Sequence, residues 1–159
     1  MTAFTLETVM ANLWAQITPL IQTTTLAPTT SKPFAYGSRR IQMWGDVPAT
    51  NKPAVYLYQD KGQSARTSDH VPGMLTIEAQ IYIYMDAGVD QSIVPATALN
   101  NLFQAVWNVL SSNNPTQNTF NIPGTQARLR IDGDIHFESG DLTGNGLCLI
   151  PLKILVPSF

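Results

Sequence analysis

The sequence predicts an α+β domain: a mainly antiparallel, mixed β-sheet with two helices packed on one face and a long C-terminal β-hairpin. Three observations predict it. Two segments carry apolar residues at helical spacing, several runs alternate apolar and polar residues at every second position, and the chain closes on two such runs joined by a glycine-rich reversal. No internal repeat and no linker of domain size interrupts the 159 residues, so 1–159 is one domain.

The first helix is expected from Thr5 to about Gln22. Leu6, Val9, Met10, Leu13, Trp14, Ile17, Leu20 and Ile21 fall on one stripe, Thr5 can cap, and Glu7 complements the amino-terminal dipole. Pro19 should kink or shorten the last turn. Residues 23–33, rich in Thr and Pro, read as a loop or an extended arm. Phe34 to Trp44 is expected to be the first strand, closed by Asp46-Val47-Pro48, and Pro53 to Asp60 the second. The polar stretch 61–73 reads as a loop or arm. Met74 to Met85 is the cleanest strand, with Leu75, Ile77, Ala79, Ile81, Ile83 and Met85 alternating against Thr76, Glu78, Gln80, Tyr82 and Tyr84.

Pro95 opens a second helix whose buried stripe is Leu99, Leu102, Phe103, Val106 and Leu110, with Trp107 beside it and Ser111 to Pro115 ending it. Thr116 to Gly124 reads as an uncharged loop. From Thr125 to Glu138 a single long strand is expected, with Leu129, Ile131, Ile135 and Phe137 on one face. Arg128, Arg130, Asp132, Asp134, His136 and Glu138 take the other. Ser139 to Gly146 reverses the chain. Leu147 to Pro157 returns as an almost continuously apolar strand, a pattern expected where both faces are covered at the sheet's centre or against another subunit.

Composition narrows the function. A formal charge of −2 gives no reason for general nucleic-acid affinity. The lone Cys148 sits in an apolar strand and reads as a buried thiol in a reducing compartment. No run approaches the length of a membrane span, and no basic leader precedes the first helix, so a soluble protein made in a cytoplasm is expected. Charged residues make up only 13% of the chain, about half the usual share. Between Gln91 and Ala127 there is none. A neutral polar surface of Asn, Gln, Ser and Thr is easy to strip of water, which points to self-assembly.

Catalytic and cofactor motifs are missing: no phosphate loop, dinucleotide fingerprint, paired-cysteine zinc spacing or H-E-x-x-H. No cofactor is expected. The richest polar constellation is Asp132, Asp134, His136, Glu138 and Asp141. A divalent cation would find oxygen ligands there, and a small metal-dependent hydrolase is the corresponding alternative. Ligands at two-residue spacing on a strand diverge, however, and Arg128 and Arg130 on the same face offer ion pairing as the simpler destination. His70 stands in a polar stretch with nothing nearby in sequence to orient it as a base. Arg39 and Arg40, adjacent on a strand, should point to opposite faces, one packing over Trp44 or an acidic neighbour.

Ser38-Arg39-Arg40, then Trp44, Asp46-Val47-Pro48 and Pro53-Ala54, resemble a pattern in tail terminator, or tail-completion, proteins of long-tailed bacteriophages. The stretch from Gly140-Asp141 to Gly146, with Ile150-Pro151 and Leu155-Val156-Pro157, looks like that family's final hairpin. The resemblance implies an α+β subunit of a homo-hexameric ring at the head-proximal end of the tail tube, without catalysis. Its implied partners are copies of itself, the tail tube protein and the head–tail connector or neck protein, with DNA passing through the lumen without specific binding. The implied location is the virion, after assembly in the host cytoplasm. Another neck component, a head–tail adaptor, is the nearest alternative. The interface candidates are Arg39, Arg40, Trp44, Arg66, His70, Arg128, Arg130, Asp132, Asp134 and Glu138.

Overall fold

In the computed structural model the described residues are 5–22, 32–68, 71–112, 119–140 and 143–157, with the backbone alone for 61–68 and 71–73. The chain runs α1 (Leu6–Ile17), β1 (Tyr36–Ser38), β2 (Ala54–Ser68), β3 (Val71–Asp86), α2 (Pro95–Ser111), β4 (Thr119–Asn121), β5 (Arg128–Ile131), β6 (His136–Glu138) and β7 (Asn145–Pro157). These seven strands form one sheet ordered β1-β2-β3-β7-β5-β4, with β6 also pairing to β7. Among them, β1 and β2 run parallel. The other pairs are antiparallel, so the sheet is mixed and the α+β expectation holds.

The helices form where their stripes can be buried. Thr5 caps α1, its hydroxyl accepting from the Thr8 N–H at 3.1 Å. Pro19 ends the regular helix, and Thr18–Leu20 continues as a single 3-10 turn. Val9, Met10, Leu13 and Ile17 of α1, with Leu99, Leu102, Val106 and Leu110 of α2, are buried against one face of the sheet. That face supplies Val55, Leu57, Ile77, Ile81, Ile83, Cys148, Ile150, Leu152, Ile154 and Val156. Alternation along β3 and β7 therefore sends every second side chain under the helices.

Four stretches differ from expectation. Residues 61–68 and 71–73 are strand, not loop: β2 continues beyond a register shift between Gln59 and Gln63, and Gln63 to Arg66 pair with Met74 to Ile77. Backbone pairing to β3 extends this strand without an apolar pattern of its own. The expected strand from 34 to 44 shrinks to Tyr36–Ser38, because the chain bends at Arg39 and the Ser38 hydroxyl accepts from the Arg40 N–H. Within the expected loop 116–124, Thr119–Asn121 is a short edge strand on β5.

The long strand from 125 to 138 is broken in two. Asp132 N–H donates to the Pro151 carbonyl at 3.2 Å, but proline has no N–H to return the bond, so the strand leaves the ladder there. Gly133 takes a φ of +118°, open to glycine, and β6 rejoins β7 at Leu149 to Leu147. The turn back into β7 uses Gly140 at φ +67°, where a Cβ would collide with the Asn145 backbone. Residues 23–31, His70, Asp141 and 113–118 lie outside the described residues.

Candidate functional site

Side-chain chemistry collects at two opposite edges of the sheet and on the face between them. The register places β1 and β6 at the same height: Tyr36–Ala54–Tyr84–Leu147–Glu138 is one row across five strands, and Ser38–Tyr56–Tyr82–Leu149–His136 is another. Both rows lie on the face away from the helices.

Three sequence candidates, Arg39, Arg40 and Trp44, lie in the chain that follows β1, each in different surroundings. Arg39 makes a two-pronged ion pair with Glu7 of α1, with its second contact at 3.1 Å. The guanidinium holds the Glu7 carboxyl below its ordinary value, by hydrogen bonding first and charge second. An acidic neighbour for one arginine is thus met. The other expectation, opposite strand faces, is corrected, since both residues sit in the bend after β1. Arg40 is exposed and makes no ion pair among the described residues. Trp44 is covered by Lys52 instead, whose Nζ lies 3.1 Å from the ring centroid. Burial pulls the Lys52 pKa down, and the charge of Asp86 opposes that shift. The Trp44 Nε1 is buried without a hydrogen-bond partner.

The segment 41–52 folds back over the sheet and seals a second, smaller core of Val47, Ala54, Tyr56 and Tyr84, with Tyr36, Trp44 and Leu147 against it. All five tyrosines of the chain lie in this region. Their rings touch in sequence, Tyr36 to Tyr56, Tyr84, Tyr82 and Tyr58, at centroid separations of 5.2 to 6.5 Å. The phenols of Tyr56 and Tyr84 donate to the side chain and backbone oxygens of Gln42 at 3.2 and 2.9 Å. Burial, then neighbouring phenols, push the Tyr56 pKa up to about 12.

The other edge holds Arg130, Asp132, Asp134, His136 and Glu138. Asp132 is the hub: Lys153 of β7 reaches it at 2.7 Å and Arg130 at 3.3 Å. The Lys153 hydrogen bond is the main cause of its lowered pKa; burial opposes this, and the charges of Lys153 and Arg130 reinforce it. Asp134 and Glu138 are exposed and make no ion pair among the described residues. No group of three or more His, Cys, Asp or Glu suited to a metal ion occurs among the described residues. Arg128 stands apart, lining an open groove of about 690 Å³ with Met74, Ile122, Pro123, Leu155 and Pro157. Arg66 belongs to the β2–β3 hairpin opposite Met74, and His70 lies outside the described residues.

Glu7, Lys52, Lys153 and the tyrosine cluster were not among the sequence candidates. The i, i+2 pairs Tyr56/Tyr58 and Tyr82/Tyr84 were the available signal, but their meeting depends on the β2–β3 register. The chain matches no protein-family model, and no curated protein matches it significantly.

Proposed function

We propose that this protein is a structural virion subunit that caps a phage tail tube as an oligomeric ring, ending tube growth and presenting a surface for head–tail joining. One observation carries this reading. The two helices form the outer layer over the main core, yet the only charged side chain in either is Glu7, which Arg39 already engages. Exposed positions of α2 are Thr97, Asn100, Asn101, Gln104 and Asn108. Soluble domains carry roughly 25% charged residues, whereas depletion of charge marks the cores of protein interfaces.

The resemblance of Ser38-Arg39-Arg40, Trp44 and the final hairpin implies an α+β subunit, and the sheet with two helices on one face is of that class. Physically, a cap needs one ring face that fits the last ring of the tube and another that cannot recruit more tube subunits. Ring closure further needs a head-to-tail contact whose rotation closes. Neutral-polar surfaces meet the first demand cheaply, because little charge must be dehydrated.

Electron micrographs of particles made without this gene test the reading. Tubes of uncontrolled length, unattached to heads, are expected. Normal, head-attached tails would overturn it.

A further inference from the structure

We infer that the acidic β6 edge of one copy docks on the basic β1 edge of the next copy, so that charge pairing across two different edges sets the head-to-tail contact. This rests on the assembly reading above and names the surfaces that carry it. The two edges sit at the same height on opposite sides of one sheet, as the rows from Tyr36 to Glu138 and from Ser38 to His136 require. Repeating the subunit sideways therefore brings β6 of one copy level with β1 of its neighbour.

The charges are opposite. Residues 32–52 around β1 contain Lys32, Arg39, Arg40 and Lys52 against a single carboxylate, Asp46. Residues 132–140 around β6 contain three carboxylates, Asp132, Asp134 and Glu138, and no Lys or Arg. Part of each set is already used within the subunit: Arg39 by Glu7, Lys52 by the Trp44 ring, and Asp132 by Lys153 and Arg130. What remains without an ion pair among the described residues is Lys32, Arg40 and the one carboxylate Asp46 on one side, and Asp134 and Glu138 on the other. On the helix-side face of the same short strand, Phe137 is 43% exposed while still stacked edge-on against Phe103 of α2 at 5.4 Å. A part-exposed aromatic ring on an edge strand is a residue type enriched at interfaces. Like charges brought face to face across such a contact are strongly unfavourable, which makes the pairing selective as well as attractive.

Because the contact joins two different surfaces, it can be tested with single-charge reversals that are defective alone and complementary together. Continuing the row from Ser38 to His136 by two residues sets Arg40 level with Asp134. Wild-type protein, Arg40→Glu, Asp134→Arg and an equal mixture of the two variants would therefore be compared by sedimentation velocity at low salt. Circular dichroism would confirm that each variant is folded. Wild type is expected to assemble, and each variant alone to assemble at least about tenfold more weakly. The mixture should recover, since the carboxylate introduced at position 40 of one variant then faces the guanidinium introduced at position 134 of the other. Added salt should weaken the wild-type assembly. Single variants that assemble as wild type, or a mixture that stays dissociated, would overturn the inference while leaving ring formation through other surfaces intact. A wild-type protein that stays monomeric at every concentration overturns this inference by itself; the tube-capping reading then falls only if particles lacking the gene also have normal tails.

Discussion

On the helix side of the sheet, Ile81, Ile83, Ile150 and Ile154 lie buried beneath α1 and α2. Their immediate neighbours along the same strands, Tyr82, Leu149 and Leu155, face the other way and are half-buried. Among the described residues, the 41–52 segment covers one end of that surface. One face is an apolar core closed by two helices. The other mixes stacked phenols, a backbone-anchored loop and an ion-paired carboxylate. The strands alone, then, do not decide what is core; whatever lies on top of them does.

The widest gap between the two faces is chemical. Cys148, on the helix side, is fully buried, and burial pushes its thiol up to about 12. A thiol reagent at pH 8 should leave the native protein unlabelled and modify it only after unfolding; rapid native labelling would show that the helices do not seal this face. Next in size is a pair of neighbours. Ile150→Ala should cost about 2–5 kcal/mol in urea unfolding, and Leu149→Ala, half-exposed on the other face, about 1 kcal/mol. Equal losses would erase the distinction between the faces.

Tyr84→Phe removes the phenol that donates to the Gln42 carbonyl at 2.9 Å and should cost about 1 kcal/mol. No loss would mean that the Tyr84 hydrogen bond does not help to hold the 41–52 segment. The last and weakest effect is electrostatic. Lys153 first, with Arg130, lowers the pKa of Asp132 in the folded state, so its contribution is present above the ordinary carboxylate range. That contribution fades as pH falls through the lowered value. Asp132→Asn should therefore cost less than about 1 kcal/mol at pH 7, because the pair is solvent-screened. The gap from wild type should close in acid; a gap that persists there would assign the loss to packing.

Much of the helix side was legible in the sequence, because a stripe such as Leu99, Leu102, Val106 and Leu110 states its own period. So was β3, where six alternating apolar residues outnumber any competing pattern. The 61–68 strand was not, since Gly62, Gln63 and Ser64 carry no apolar signal and are strand only through the partner they pair with. β4, three residues long, is too short to show any period. At the candidate edges, the sequence points to cross-strand or intersubunit ion pairs between Arg128, Arg130 and the carboxylates that share their face, of which Asp132 is one. Its nearest cation is Lys153, brought beside it only by the β5–β7 register, and Arg128 is elsewhere. Arg39 finds Glu7 across 32 positions, a distance no local pattern encodes.

The proline in β7 also has a consequence for how the outer chain can sit. If β5 slid two residues along β7, a carbonyl from within the paired strand would be presented to position 151 and would find no donor there. A slip by one residue would turn Leu129 outward and Arg130 inward. Pro151 thus acts as a fixed notch on an otherwise uniform rail, and the outer chain can seat itself at only one station along it.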